Sequence, residues 1–212
     1  MSLMALALTA DKLTLNRGER CLFVDLSFNV NQGEALILRG ANGVGKTSLL
    51  RVLAGLTVPD SGTIRLNDAT LKPLSESSRQ HIHYVGHANQ LKDELTAEEN
   101  LHDMLAIDAV ATTLEVRLDG LNRVGLLKQR QVLAKKLSQG QKRRIGIANL
   151  LLNQKLIWLL DEPTNALDAA AVALMLSTID NHLVNGGLCV IATHLPLALN
   201  QPSRELTLTE IR

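Results

Sequence analysis

Two stretches of this chain carry residue types suited to holding phosphate and a divalent metal. The first is Gly40-Ala41-Asn42-Gly43-Val44-Gly45-Lys46-Thr47, with Ser48 next. Its glycines let successive backbone N–H groups converge on an anion. A helix starting just after them adds the positive end of its dipole. In that setting Lys46 meets the β- and γ-phosphates of a nucleoside triphosphate, and Thr47 ligates Mg2+. The second stretch is Leu156-Ile157-Trp158-Leu159-Leu160-Asp161-Glu162. An apolar run ending in two acids delivers carboxylates to the C-terminal edge of a buried strand, where open α/β sheets bind ligands. Asp161 then orients the metal, and Glu162 polarises the attacking water as general base. Each stretch alone has an ordinary reading, a Gly-rich turn or a strand that ends in a charged turn. Their occurrence together, with Asp161 115 residues after Lys46, argues against both and points to ATP hydrolysis.

A third run narrows the class. Leu137-Ser138-Gln139-Gly140-Gln141 is followed by Lys142-Arg143-Arg144. A Ser hydroxyl and a Gly backbone at a helix N-terminus form a second anion site, although the same residues also suit a plain capped helix. Ser138 precedes Asp161 by 23 residues. The run and its spacing resemble the LSGGQ signature of the ABC ATPases. Asn165-Ala166-Leu167-Asp168, after Glu162-Pro163-Thr164, looks like that family's D-loop, which crosses the dimer interface. His194, just after Leu188-Cys189-Val190-Ile191-Ala192-Thr193, matches the family's switch histidine, which senses the γ-phosphate. The resemblance covers nearly the whole chain. It implies that Ser138, Gly140, Gln141 and Asp168 serve the ATP held on the phosphate loop of a second copy, with two ATPs clamped between two chains.

Two positions depart from the family pattern. No aromatic follows the first strand to stack on adenine; Arg17 is the available planar group, and a solvated turn Arg is the alternative. The loop that usually begins with Gln has His87 in Tyr84-Val85-Gly86-His87, with Gln90 three residues off register. His87 is thereby the candidate for a catalytic and metal-water contact, responsive to pH near ~6.5. His81 and His83 share one face if they lie on the same strand, but no Cys or acidic cluster completes a metal shell around them. Asn149 stands where the family commonly has Arg.

The YVGH loop, the Gly18–Phe28 opening, the Leu137–Arg144 run and the short tail after His194 are similar to the ATP-binding subunits of the cytochrome c maturation system, or haem exporters. That resemblance implies a peripheral protein at the cytoplasmic face of the bacterial inner membrane. It also implies an integral membrane permease as partner, and hydrolysis coupled to haem export or to release of a haem-chaperone complex. Another small-molecule exporter is the alternative within the class. A soluble ABC ATPase acting on ribosomes or DNA is the alternative outside it, but such proteins carry two nucleotide-binding domains or a long coiled-coil insertion, and this chain has neither.

These residues need a scaffold of buried strands that release them at one edge. Residues 35–40, 156–161 and 188–194 are continuous apolar runs, the pattern of parallel strands covered on both faces. Leu49, Leu50, Leu53 and Leu56 take helical spacing after the phosphate loop, and residues 169–183 form an Ala-rich helix. Residues 4–38 read as short strands with turns at Asn16-Arg17-Gly18-Glu19 and Asn31-Gln32-Gly33-Glu34; 63–68 and 81–86 are further short strands, and 205–210 an edge strand. Residues from about 96 to 127 are mainly helical. The expectation is an α/β P-loop NTPase of the ABC type with a mainly parallel core sheet, an N-terminal antiparallel β subdomain and a helical signature subdomain. It reads as one domain over 4–212, its core at about 4–87 and 150–212 and its helical part at about 88–149.

Composition sets limits on partners. Net charge is +1 and aromatics are 2% of 212 residues, which supplies neither a polyanion-binding field nor stacking platforms, so no direct nucleic-acid contact is expected. The two cysteines, Cys21 and Cys189, lack metal-ligand spacing and read as free thiols in a reducing compartment. No apolar run reaches the roughly 18 to 20 residues that cross a bilayer. Met1–Lys12 lacks a basic n-region and is not read as a signal peptide, with Met4 a candidate natural start. Any membrane role is therefore expected to come through a partner.

Overall fold

Leucine, isoleucine and valine at three of the five positions in each of three short runs, with other apolar residues beside them, make strands that are stable only when both faces are covered. In the computed structural model, which describes residues 6–73, 75, 80–86 and 91–211, those runs are β3 (Ala35–Arg39), β7 (Ile157–Asp161) and β8 (Leu188–Ala192). They lie side by side in a five-stranded sheet with β6 (Ile82–Val85) at one edge and β9 (Ser203–Thr207) at the other, in the order β6-β7-β8-β3-β9. Every pairing in it is parallel. The register sets Leu38 opposite Ala192 and Asp161 opposite Ala192, so the chain leaves all three central strands at one edge.

A second sheet is antiparallel, in the order β2-β1-β4-β5, from β1 (Ala7–Arg17), β2 (Arg20–Asn31), β4 (Ser61–Leu66) and β5 (Ala69–Thr70). Residues 18 and 19 close the β1–β2 hairpin. Its ladder shifts register between Ala10 and Leu15, and the strands bend there, with Lys12 and Asp25 at positive φ. Helix α1 (Lys46–Leu53) buries Leu49, Leu50, Val52 and Leu53. Leu8, Val30, Leu36, Leu38, Leu49, Leu159 and Val190 belong to one apolar core shared by both sheets and α1. Full burial of each such side chain contributes about 2 kcal/mol.

Three expectations are corrected. Leu56 is 43% exposed because α1 ends at Leu53 and the chain turns through Gly55 at φ 69, off the helical face. The edge strand spans Ser203–Thr207 and not 205–210, since its length is set by pairing with Ala35–Arg39. Strand β6 starts at Ile82, so His81 precedes it and is exposed while His83 is buried; the two share no strand face.

The described residues fall into two compact units. One comprises Met1–Val85, Lys155–Pro163 and Ile179–Arg212; the other comprises Gly86–Gln154 and Thr164–Thr178. The second is helical: α2 (Ala97–Ile107), α3 (Leu114–Arg123) and α4 (Gln139–Leu152) pack on one another. Thr96 caps α2 in a reciprocal box with Glu99. Asn100 ties the approach to α2, donating to the carbonyls of Lys92, Leu95 and Thr96 and accepting from Lys92 N–H. Helix α5 (Ala169–Val184) divides its length between the units. Among the described residues, no helix is long and apolar enough to cross a membrane.

Candidate functional site

The phosphate loop begins where β3 ends. Gly40 holds φ 134, and a Cβ there would lie 2.5 Å from the Leu208 carbonyl oxygen, so only glycine fits without moving the backbone. Gly45, at φ 117, is the N-cap of α1 and supplies no side-chain cap, which leaves the helix N-terminus open to an anion. Lys46 Nζ donates to the carbonyls of Gly40 (2.7 Å) and Ala41 (3.0 Å), curling the loop around the ammonium.

The two expected metal ligands meet. Thr47 Oγ1 donates to Asp161 Oδ2 at 2.8 Å, joining the first turn of α1 to the last residue of β7. Asp161 is 3% exposed. Two hard oxygen donors so placed, one anionic, suit Mg2+, which binds through few protein oxygens and completes its shell with water and phosphate. Mg2+ held there would neutralise charge on the β- and γ-phosphate oxygens.

Glu162 follows immediately and leaves the strand. Its φ is +51, a left-handed conformation rare outside glycine, and its N–H donates to Ala192 O at 2.8 Å. Consecutive residues of an extended strand face opposite sides; the reversal at Glu162 turns the chain out of that alternation. Glu162 Oε1 lies 3.0 Å from His194 Nδ1, while the buried Oε2 has no hydrogen-bond partner among the described residues. A carboxylate fixed through one oxygen, with the other buried and unpaired, keeps an acceptor free for a proton. His194 itself is half exposed.

The signature and D-loop residues belong to the helical unit. Ser138 is the N-cap of α4: its hydroxyl accepts from Gln141 N–H at 3.2 Å, and Gln141 Oε1 accepts from Ser138 N–H at 2.9 Å. The run forms a capped helix, with Ser138 exposed at its start. Asp168 accepts from Ala171 N–H at 2.8 Å and pairs with Arg144. The Ala171 bond first, and the Arg144 bond after it, hold its carboxyl below the usual Asp range. Gly140 lies near the Ala166 carbonyl, 3.7 Å from where a Cβ would sit, and Ala166 has φ +58.

Arg17 ends β1 exposed to solvent, beside the hairpin turn. His87 and Gln90 lie outside the described residues. Asn149 is buried in α4.

Two residues near the site were not picked out from sequence. Arg39, the last residue of β3, reaches the backbone on both sides of His194. Tyr84 is half buried within electrostatic reach of Asp161: burial first, then the Asp161 charge, raise its phenol pKa, and Arg51 opposes them. Their signal was only position, one residue before the phosphate loop and three before His87.

Comparison with known proteins agrees with this geometry. Residues 23–165 match the ABC transporter family model. The chain is 42% identical over 193 residues to the cytochrome c biogenesis ATP-binding export protein CcmA of Nitrosomonas europaea, covering 91% of each chain. It is 44% identical over 205 residues to the protein of that name from Rhizobium johnstonii, covering 95% of this chain and 94% of the relative. Among solved structures, a putative ABC transporter ATP-binding protein from Pyrococcus furiosus superposes with a TM-score of 0.80 at 23% identity, covering 94% of this chain and 97% of the other. The dimeric post-hydrolysis state of an ATP-binding cassette bound to ADP and Pi matches at TM-score 0.78 and 24% identity over 89% and 88%. These two likenesses concern the fold, an α/β ABC ATPase with a parallel and an antiparallel sheet plus helices. With the family match spanning most of the chain and relatives above 40% identity end to end, the chain belongs to the ABC transporter family of ATP-binding proteins, in the branch of the cytochrome c biogenesis export proteins.

Proposed function

We propose that this chain hydrolyses ATP as one half of a two-chain ATP sandwich, on the cytoplasmic face of the inner membrane, and drives haem export or haem-chaperone release through an integral membrane permease. The observation that carries the reading is the likeness, at 42% to 44% identity over more than 90% of the chain, to ATP-binding export proteins of cytochrome c biogenesis. The geometry supports the chemistry. The glycine loop and Lys46 bind the phosphates, and Thr47 with Asp161 hold Mg2+. Glu162 accepts the proton of the attacking water while His194 fixes its other oxygen and faces the γ-phosphate. Ser138, Gly140, Gln141 and Asp168 of a second copy close over the same nucleotide. Arg17 is the group available to the adenine, and His87 to the metal-bound water.

The test is replacement of this gene in its source cell by the Glu162→Gln form. ATP binding is retained and turnover falls by about a hundredfold, the order of effect that loss of a general base produces. Covalent haem in c-type cytochromes, measured by haem staining, disappears and returns with the wild-type gene. Normal cytochromes beside a dead ATPase would remove the haem reading and leave the ATPase; undiminished turnover in Glu162→Gln would remove the base.

A further inference from the structure

We infer that Arg39 is a positioning residue for His194, acting through the backbone that carries it. Arg39 is the last residue of β3 and the immediate neighbour of Gly40, where the phosphate loop starts. Its Nη1 donates to two carbonyls, Thr193 at 3.1 Å and Leu195 at 2.6 Å, the residues on either side of His194. The guanidinium is held from its other side by Glu205 on β9, 2.9 Å from Nε and 2.9 Å from Nη2. Its side chain is 19% exposed, and Thr193 is fully buried.

Three adjacent strands thereby fix one turn. Residues 193–195 follow β8 and lie outside the sheet. Leu195 N–H is satisfied by Thr193 Oγ1 at 3.1 Å, and Thr193 N–H by Leu38 O at 3.3 Å, while the arginine donates to the Thr193 and Leu195 carbonyls. Nη1 takes both carbonyls while Nε and Nη2 face Glu205, and the single nitrogen of an ammonium does not reproduce that division of donors across a planar fork. His194 is half exposed, and its ring bonds to Glu162. The orientation of its ring is set by that bond together with its backbone, and Arg39 holds the backbone on both sides.

The inference rests on the proposed role of His194, and a double-mutant cycle separates the two. ATPase kcat, KM and nucleotide affinity (by a fluorescent ATP analogue) are measured in the full chain for wild type, Arg39→Ala, His194→Ala and the double variant. Arg39→Ala is expected to lose about tenfold or more in kcat with nucleotide affinity within about twofold, since the loop itself is untouched. Added to His194→Ala it should cost about twofold at most, because a residue acting only through His194 has nothing left to position. Arg39→Lys keeps the charge facing Glu205 and serves if Arg39→Ala does not fold; it should lose several-fold in kcat. Wild-type kcat in Arg39→Lys or Arg39→Ala, or a full additional loss in the His194→Ala background, would overturn the inference. Wild-type turnover in His194→Ala would overturn the role of His194 and the inference with it, whereas a dead His194→Ala beside an unaffected Arg39→Ala overturns the inference alone.

Discussion

The hydroxyl of Thr47 and the carboxylate of Asp161, 114 positions apart in sequence, lie 2.8 Å apart in the fold. One residue opens a helix and the other closes a strand, and the contact brings together the two oxygens assigned to Mg2+. Asp161→Asn keeps an oxygen that can accept from Thr47 and removes only the charge. Its fold should therefore hold, while the Mg2+ concentration for half-maximal ATP turnover rises by about tenfold or more, as expected when a hard cation loses an anionic ligand. Titrating turnover against Mg2+ checks this; an unshifted midpoint would release Asp161 from the metal.

Ser138 has two tasks that a substitution can pull apart. As N-cap of α4 it satisfies a backbone donor, and Asp caps helices about as well as Ser. Ser138→Asp should thus leave thermal stability within about 2 °C, whereas Ser138→Ala loses about 1 kcal/mol. In the ATP-bound dimer the added carboxylate would face the partner's γ-phosphate, so Ser138→Asp should abolish ATP-dependent dimerisation seen by light scattering. A normal ATP-bound dimer in that variant would place the signature serine elsewhere.

Much of this was legible because continuous apolar runs have few alternatives once flanked by Gly and charge. Leu36, Leu38, Leu159 and Val190 marked their strands, and the loop and acids at their ends marked the edge that does chemistry. What was hidden depends on side chains reaching across the fold. Nothing local announces that Arg39 will reach the Thr193 and Leu195 carbonyls 154 and 156 residues on, or that Asp168 will pair with Arg144. Asn100, which ties the Lys92–Thr96 segment to α2, reads in sequence as an ordinary polar residue of a helix. The reach of α1 was overread because Leu56 keeps the periodicity after the backbone has abandoned it.

His182 gives the fold a sensitivity to acid. Its ring stacks on Trp158 with centroids 3.8 Å apart and planes 7° apart, and Nε2 faces the Leu188 carbonyl at 3.3 Å. Burial lowers its pKa to about 4; the carbonyls of Leu188 and Leu156 oppose that, and His83 adds to it. With the folded value below the unfolded one, the unfolded chain takes up a proton that the folded chain refuses. Stability from this group is complete above pH 6.5 and declines as pH falls towards about 4, by roughly 2 kcal/mol at pH 5. Unfolding free energies from urea titrations at pH 7 and pH 5 should converge by about that amount in His182→Gln; an unchanged gap would assign the acid sensitivity to other groups.

The two thiols should behave differently. Cys189 in β8 is fully buried, and burial pushes its pKa far above the ordinary thiol range, whereas Cys21 is partly exposed. A thiolate-selective reagent should modify about one thiol per chain in the native state and both in urea, since reactivity follows thiolate content and access. Mass spectrometry after digestion should find the native label on Cys21; rapid native labelling of Cys189 would mean that β8 opens far more readily than its packing implies.

The left-handed backbone at Glu162 sets catalysis and folding against each other at a single residue. A side chain with a Cβ costs on the order of 1 kcal/mol or more in that conformation, and a buried carboxylate oxygen without a partner adds to the cost. Glycine or asparagine at this position would relieve the first burden, and any neutral group would relieve the second. Under the role proposed for Glu162, drift at position 162 is biased toward sturdier chains that have lost the reaction, and the demand for turnover is what holds glutamate in place.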